Sequence, residues 1–312
     1  MSDLICRICH NAEGNKEVRL QGTMYGTHGE YPYFLCGKCG CLQIREAVDD
    51  IAKYYNTDHY YSFNMNKRKL KNELLFLQMK DQVEKKDLLG KLVGYLYPVN
   101  YAFFRLINKE DYILDVGCGD GELLRWLKRL GYQNVMGIDP YVGQDIIVED
   151  QILVAKGDVR EYDFKDTYKM ITLIHSLEHV YQQQEQIAAL DAHLERGGFL
   201  VFQLPVLSQY YWKQYGTRLY TLDPPRHFYL HTKKSLQELM KPFPYKMIDY
   251  ATEIDVAIPE MARNIERGNT EKNGGTGFIT GTISALRSRK LKKQLKKEED
   301  GAIATVIFQK MQ

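Results

Sequence analysis

The chain has 312 residues, 44% of them hydrophobic, and its 42 basic and 40 acidic side chains leave a formal net charge of +2. That balance leaves room for one sizeable α/β core plus an appendage, and it argues against binding dominated by a phosphate backbone, which needs a strongly basic face. No basic stretch followed by an apolar run opens the sequence, and no run of about 18 apolar residues occurs, so a soluble cytoplasmic protein without a membrane span is expected.

Four of the six cysteines lie in two pairs, Cys6-Arg7-Ile8-Cys9 and Cys36-Gly37-Lys38-Cys39. Thiolates at this CxxC…CxxC spacing reach one tetrahedral Zn²⁺. The surrounding residues show too little apolar periodicity to hold themselves together by a core, so 1–48 reads as a module stapled by structural zinc. His10 and Cys41 are bystanders, because four thiolates already complete the ion. Free buried thiols or a redox dithiol are the alternatives; the second lacks the helix start such a motif uses.

Residues 49–108 form a Tyr-rich connector, with Tyr54-Tyr55 and Tyr60-Tyr61, leading into helices. Leu70, Leu74, Leu77 and Val83 recur at helical spacing between Met65 and Gly90, and a second helix is expected around Lys91 to Ile107. From 109 to 312 the pattern changes: YILDV, NVMGID, ILVAKGD, MITLIHS and GGFLVFQL are short apolar runs alternating with helical segments. This predicts a doubly wound α/β fold with a mostly parallel sheet. An insertion over 204–231 is dense in aromatics, Arg and His. Beyond it, Thr232 to Lys241 reads as helix, Tyr245 to Ile258 as extended, Arg263 to Gly281 as mobile, Ser284 to Asp300 as a charged helix and Gly301 to Lys310 as a closing edge strand.

Asp115-Val116-Gly117-Cys118-Gly119-Asp120-Gly121 follows a predicted strand and opens a helix. Glycines there let a ligand approach the backbone at the strand's carboxyl end. The spacing is GxGxG rather than GxGxxG, and an acidic residue precedes the first glycine, which decides against a dinucleotide. Asp139, in the Gly137-Ile138-Asp139-Pro140 turn, is placed to accept ribose hydroxyls, and Asp158 with the Val159 backbone is placed to meet an adenine edge.

The segments LDVGCGDG, GIDP, GDV, HSLEH and RGGFLVFQLP resemble the class I S-adenosylmethionine-dependent methyltransferase core over about Tyr112 to Pro205. The resemblance implies a seven-stranded sheet with Gly117, Gly119 and Gly121 along the methionine and ribose, Asp139 on the ribose, and Asp158 with Val159 on the adenine. It also implies His175 and Ser176 beside the amino acid and methyl group, and S-adenosylhomocysteine as product. A paired-cysteine module and Tyr-rich connector ahead of such a core resemble the sugar C-methyltransferases acting on nucleotide-linked deoxysugars.

Methyl transfer to oxygen or to an enolate carbon requires a base. His179, with Glu178 beside it to orient an imidazole, is one candidate; the segment after Asp223-Pro224-Pro225, which carries Arg226, His227, Tyr229 and His231, supplies others. By the sugar-enzyme resemblance, His227 and Tyr229 remove the proton next to a keto group, while His179 or another tyrosine stays open as the base. The acceptor expected is a sugar or nucleotide-sugar. The alternatives are an RNA methyltransferase gripping nucleic acid through the zinc module, and a cofactor-binding scaffold without turnover. The charged segment 284–300 is either a solvated face or a basic surface for a phosphorylated substrate.

Overall fold

The computed structural model describes residues 4–24, 27, 29–54, 69–85, 87–96, 99–255, 257–268 and 289–312. Tyr55, Tyr60, Tyr61 and the stretch 269–288 lie outside the described residues, and with them part of the expected connector, of the Gly/Asn-rich segment and of the charged helix.

The N-terminal module is built on β1 (Lys16–Gln21), β2 (Glu30–Leu35) and β3 (Leu42–Ile44), an antiparallel meander whose inner residues Leu20, Tyr33, Phe34, Leu42 and Ile44 are buried. Two helices follow, α1 (Lys69–Glu84) and α2 (Leu88–Leu96), parted at Lys85, which has φ of +58°. Phe76 and Met79 form the buried face of α1, and Gln78 and Gln82 both donate to the Val99 carbonyl, tying the helix to the chain that enters the core. The second helix expected to run to Ile107 stops at Leu96; only a short 3-10 turn, Ala102–Leu106, continues it.

The core strands are β4 (Ile113–Val116), β5 (Val135–Asp139), β6 (Ile146–Val148), β7 (Gln151–Lys156), β8 (Tyr168–Ile174) and β9 (Leu194–Pro205), with α3 (Glu122–Arg129) after β4 and α4 (Gln183–His193) after β8. The insertion holds α5 (Gln209–Tyr215), two 3-10 turns and β10 (Tyr229–Leu230). The chain ends with α6 (Lys233–Met240), β11 (Tyr245–Glu253), α7 (Ile258–Glu266), α8 (Arg289–Glu298) and β12 (Ile303–Lys310). The expected extended run to Ile258 therefore ends at Glu253, and Ile258 starts a helix with Pro259 in its first turn, where a missing N–H costs nothing.

The main sheet has eight strands rather than seven, in the order β11-β12-β9-β8-β4-β5-β7-β6. β9, β8, β4, β5 and β7 pair in parallel; β6, β12 and β11 are antiparallel additions at the two flanks. The extra strand, β6, is a three-residue edge hairpin partner of β7 with little burial. β12 is not the edge strand expected: it lies between β9 and β11, and the unbroken buried run Ala304 to Phe308 follows from cover on both faces. Strand order reverses between β4 and β8, so the carboxyl ends of those strands open the crevice where open α/β sheets bind ligands.

A second sheet has the order β1-β2-β3-β10. β10 comes from the insertion, more than 180 residues downstream, and pairs Tyr229 with Gln43 and Leu230 with Leu42. The module and the insertion are thus one folded unit. No helix among the described residues is long and apolar enough to cross a membrane.

Candidate active site and cysteine cluster

Gly117 has φ of +75°, and a Cβ built there would meet the Ser176 Cβ at 2.4 Å, so only glycine lets the loop after β4 pass the loop after β8. Ser176 seals this crossing by donating to the Val116 carbonyl at 2.7 Å. Asp139 at the end of β5 accepts from the Gly119 N–H at 2.9 Å and the Tyr141 N–H at 2.8 Å, which fixes its carboxylate beside the glycines. Nothing lies within 4 Å of a Cβ built at Gly119, so this part of the loop presents bare backbone to open space. Asp158 accepts from the Arg160 backbone N–H and guanidinium, a pairing that lowers its pKa; Val159 next to it is buried.

Register places Asp115 opposite Thr172 across β4 and β8, and the Thr172 hydroxyl donates to its carboxylate at 2.7 Å. Burial raises the Asp115 pKa to about 7, against the Thr172 hydrogen bond and with help from the Asp139 charge. A loop of bare glycine backbone flanked by three acidic strand ends fits an adenosyl cofactor, whose ribose and adenine present hydroxyl and amino donors to carboxylates.

Directly after Ser176 the chain turns into Leu177–His179, and this turn meets the insertion. The Phe228 N–H donates to the Glu178 carbonyl at 2.8 Å. His179 Nδ1 lies 3.0 Å from the Arg226 carbonyl, His227 Nδ1 lies 2.8 Å from the Thr221 carbonyl, and the two rings stand edge to face with centroids 4.7 Å apart. A carbonyl only accepts, so both Nδ1 atoms carry hydrogen, and His227 Nε2 stands 3.9 Å from Asp223 Oδ2. Burial, then the neighbouring His227, pulls the His179 pKa down to about 4. Glu178 is 1% exposed; burial works to raise its pKa, but the adjacent His175 imidazole, with His179 and His227, outweighs it and holds the group at about 2. His175 Nδ1 is 3.6 Å from Glu178 Oε1, while Oε2 has no hydrogen-bond partner.

The methyltransferase-domain family model matches residues 93–249, half of the chain, and its span contains the glycine loop, the acidic strand ends and the histidine turn. The chain belongs to this methyltransferase family. It is a methyltransferase. Solved structures similar to it include a SAM-dependent methyltransferase from Archaeoglobus fulgidus, at 16% identity and TM-score 0.44, covering 77% of this chain and 94% of that one. A possible histamine N-methyltransferase from Thermotoga maritima aligns at 12% identity and TM-score 0.42, covering 77% and 95%. The plantazolicin methyltransferase, in complex with a desmethylPZN analogue and SAH, aligns at 16% identity and TM-score 0.40, covering 78% and 90%. A sequence search of the curated proteins finds no match.

Around the methyltransferase's histidine turn, Arg226 is fully buried and pairs with both oxygens of Asp223, at 2.9 and 2.5 Å, while reaching the Tyr54 carbonyl at 3.2 Å. Tyr229, grouped with the histidines on sequence, is engaged elsewhere. Its hydroxyl donates to the Tyr181 carbonyl at 2.7 Å and accepts from Arg7 Nε at 2.8 Å, and burial pushes its pKa up to about 12 against the pull of Arg7. The structure makes it a joint between module and insertion, its hydroxyl engaged both as donor and as acceptor. His231 is likewise buried, between Ser235 and Gln183.

The four paired cysteines converge. Cys6 Sγ is 3.7 Å from Cys39 Sγ, Cys9 Sγ is 3.6 Å from Cys36 Sγ, and all four sulfurs lie within 4.8 Å of one another. A tetrahedral ion with bonds of about 2.3 Å sets its sulfurs about 3.8 Å apart, so the residues fit zinc. Cys41, His10 and Cys118 are outside the cluster.

Sequence reasoning missed Arg7, which lies inside the first CxxC. Its guanidinium donates to the Ile44 carbonyl, to the Arg45 carbonyl at 3.1 Å and to Tyr229, and it stacks over Tyr181 at 4.6 Å. It missed Glu253 and Asp255 at the end of β11 as well. Burial, opposed by Lys292, Lys296 and His175, lifts Glu253 to about 7, and the Tyr220 hydroxyl donates to Asp255. No local signal marked these residues; only their partners, far away in sequence, reveal them.

Proposed function

We propose that the enzyme methylates an oxygen or carbon of a small-molecule acceptor, a sugar or nucleotide-sugar, and that its cysteine cluster holds a structural zinc ion. The observation that carries this reading is the meeting of two tautomer-defined histidines with a buried carboxylate, beside the serine against which the glycine loop packs. A hydroxyl, or a carbon next to a carbonyl, must lose a proton to become nucleophilic, and a cluster of two imidazoles and a carboxylate supplies its destination. Bound S-adenosylmethionine supplies a sulfonium methyl group: the bond to the acceptor forms as the carbon–sulfur bond breaks, the pair stays on sulfur, and the acceptor's proton goes to the cluster of Glu178, His179 and His227.

In this reading Gly117, Gly119 and Gly121 line the cofactor, with Asp115 behind them, Asp139 and Pro140 at the ribose, Asp158 and Val159 at the adenine, and His175 with Ser176 toward the methyl group. A sugar is favoured by the mixed aromatic and polar insertion, where Tyr210, Tyr211 and Tyr215 pack together and Tyr220 bonds Asp255. A linked nucleotide is favoured by α8, whose Lys292 and Lys296 act on Glu253, a group that also feels His175 at the cluster.

The test is methyl transfer from labelled S-adenosylmethionine to a panel of keto- and hydroxy-sugars, free and nucleotide-linked, with RNA as comparator. His227→Ala and His179→Ala should each lower kcat by about 10²–10⁴ with cofactor affinity unchanged. Transfer to RNA alone, or undiminished turnover in both variants, would overturn the reading.

A further inference from the structure

The Glu178–His179–His227 cluster has features that proton transfer alone does not account for. One potential ligand atom from each residue lies within 4.8 Å of the others, and a carboxylate buried to 1% exposure leaves Oε2 without a hydrogen-bond donor. An ionised carboxylate in that position is costly unless a cation or donor completes it. Each histidine also shows the arrangement that metal-ligating histidines use: Nδ1–H is anchored on a backbone carbonyl, Arg226 for one and Thr221 for the other, which fixes ring and tautomer.

The geometry points to a second metal site, in which Glu178, His179 and His227 bind a divalent first-row transition ion, separate from the thiolate cluster. Two imidazoles and one carboxylate select Zn²⁺, Fe²⁺, Mn²⁺ or Co²⁺ over Mg²⁺ and Ca²⁺, which prefer all-oxygen shells. Bonds of about 2.0–2.2 Å set tetrahedral donors about 3.4 Å apart, so the widest pair closes by up to about 1.4 Å through side-chain adjustment. Three protein ligands leave positions open for a substrate oxygen, the pattern of catalytic rather than structural sites. This rests on the reading of the cluster as the acceptor end of the site; with the cluster's electron pairs on the ion, an acceptor oxygen bound there would release its proton to solvent water instead of to the histidines.

The test adds Co²⁺ to full-length protein whose thiolate cluster is already zinc-loaded and follows the visible spectrum. The expected result is one further equivalent bound, with weak d–d bands and no thiolate-to-cobalt charge transfer, and affinity at least about tenfold weaker in both His227→Ala and Glu178→Gln. Zinc content and calorimetric binding of S-adenosylhomocysteine by the variants control for folding. No uptake by the wild type beyond the thiolate equivalent overturns the site, as does uptake that both variants retain. If the wild type binds no cobalt while His227→Ala still abolishes methyl transfer, the metal falls and the proton-removal reading stands. If cobalt binds as expected but no sugar is methylated, the acceptor reading falls and the site stands.

Discussion

Replacing Arg7 by alanine should loosen the joint between the cysteine module and the insertion. The guanidinium makes three hydrogen bonds, to the Ile44 carbonyl, the Arg45 carbonyl at 3.1 Å and the Tyr229 hydroxyl at 2.8 Å, and lies over the Tyr181 and Tyr229 rings at 4.6 and 5.2 Å. Tyr229 keeps its bond to the Tyr181 carbonyl, and water replaces the donor at Arg45, so most of the loss falls on the buried Ile44 carbonyl, about 1–2 kcal/mol, and on the cation–π contacts, about 1 kcal/mol. The total, about 2–3 kcal/mol, would appear in urea unfolding as a lower midpoint with unchanged slope. Arg7→Lys keeps the charge over the rings but not the fork, and should recover about half. A loss below about 0.5 kcal/mol in Arg7→Ala, the range of ordinary surface changes, would refute the joint.

Gly117→Ala forces a Cβ into the Ser176 Cβ at 2.4 Å and should weaken S-adenosylhomocysteine binding at least tenfold by calorimetry, whereas Gly143→Ala, with nothing within 4 Å, should leave it unchanged. Asp115 keeps its proton in the folded chain up to about pH 7 but loses it near 3.8 when unfolded. The stability this contributes is full below the lower value and lost as pH rises through the upper one, at up to ~1.4 kcal/mol per pH unit, and Asp115→Asn should flatten that slope in urea unfolding of cofactor-free protein. Thr232→Ala removes both the cap of α6 and the bond to the Cys39 carbonyl at 2.7 Å, which should cost about 1–2 kcal/mol and speed zinc release to a chelator dye; wild-type release rates would contradict the link.

The cofactor crevice was legible because its signals are local: glycines at fixed spacing, acidic residues closing apolar runs, and a helix start directly after them. Strand placement was not. A buried run such as Ala304 to Phe308 is compatible with an internal strand, yet nothing in it says that β9 and β11 are its neighbours. β6 left no trace because its Ile147 and Val148 are exposed at an edge, so no burial shaped the pattern. The histidines were legible as candidates only, because their tautomers depend on carbonyls contributed by folded neighbours, and the Thr221 carbonyl that holds His227 is six residues away. Tyr229 shows the converse: a motif placed it among the catalytic groups, and a contact with Arg7, 222 residues away, takes its hydroxyl.

The two-residue strand β10 limits how the protein can be cut or recombined. Trimming the first 48 residues to make a minimal catalytic core would strip Tyr229 and Leu230 of their partners Gln43 and Leu42, and the His227 carbonyl of its bond from the Tyr33 hydroxyl. The bared apolar strip would invite aggregation rather than leave a smaller enzyme. Chimeras that trade acceptor loops between related enzymes should therefore exchange the module and residues 204–231 as a matched pair.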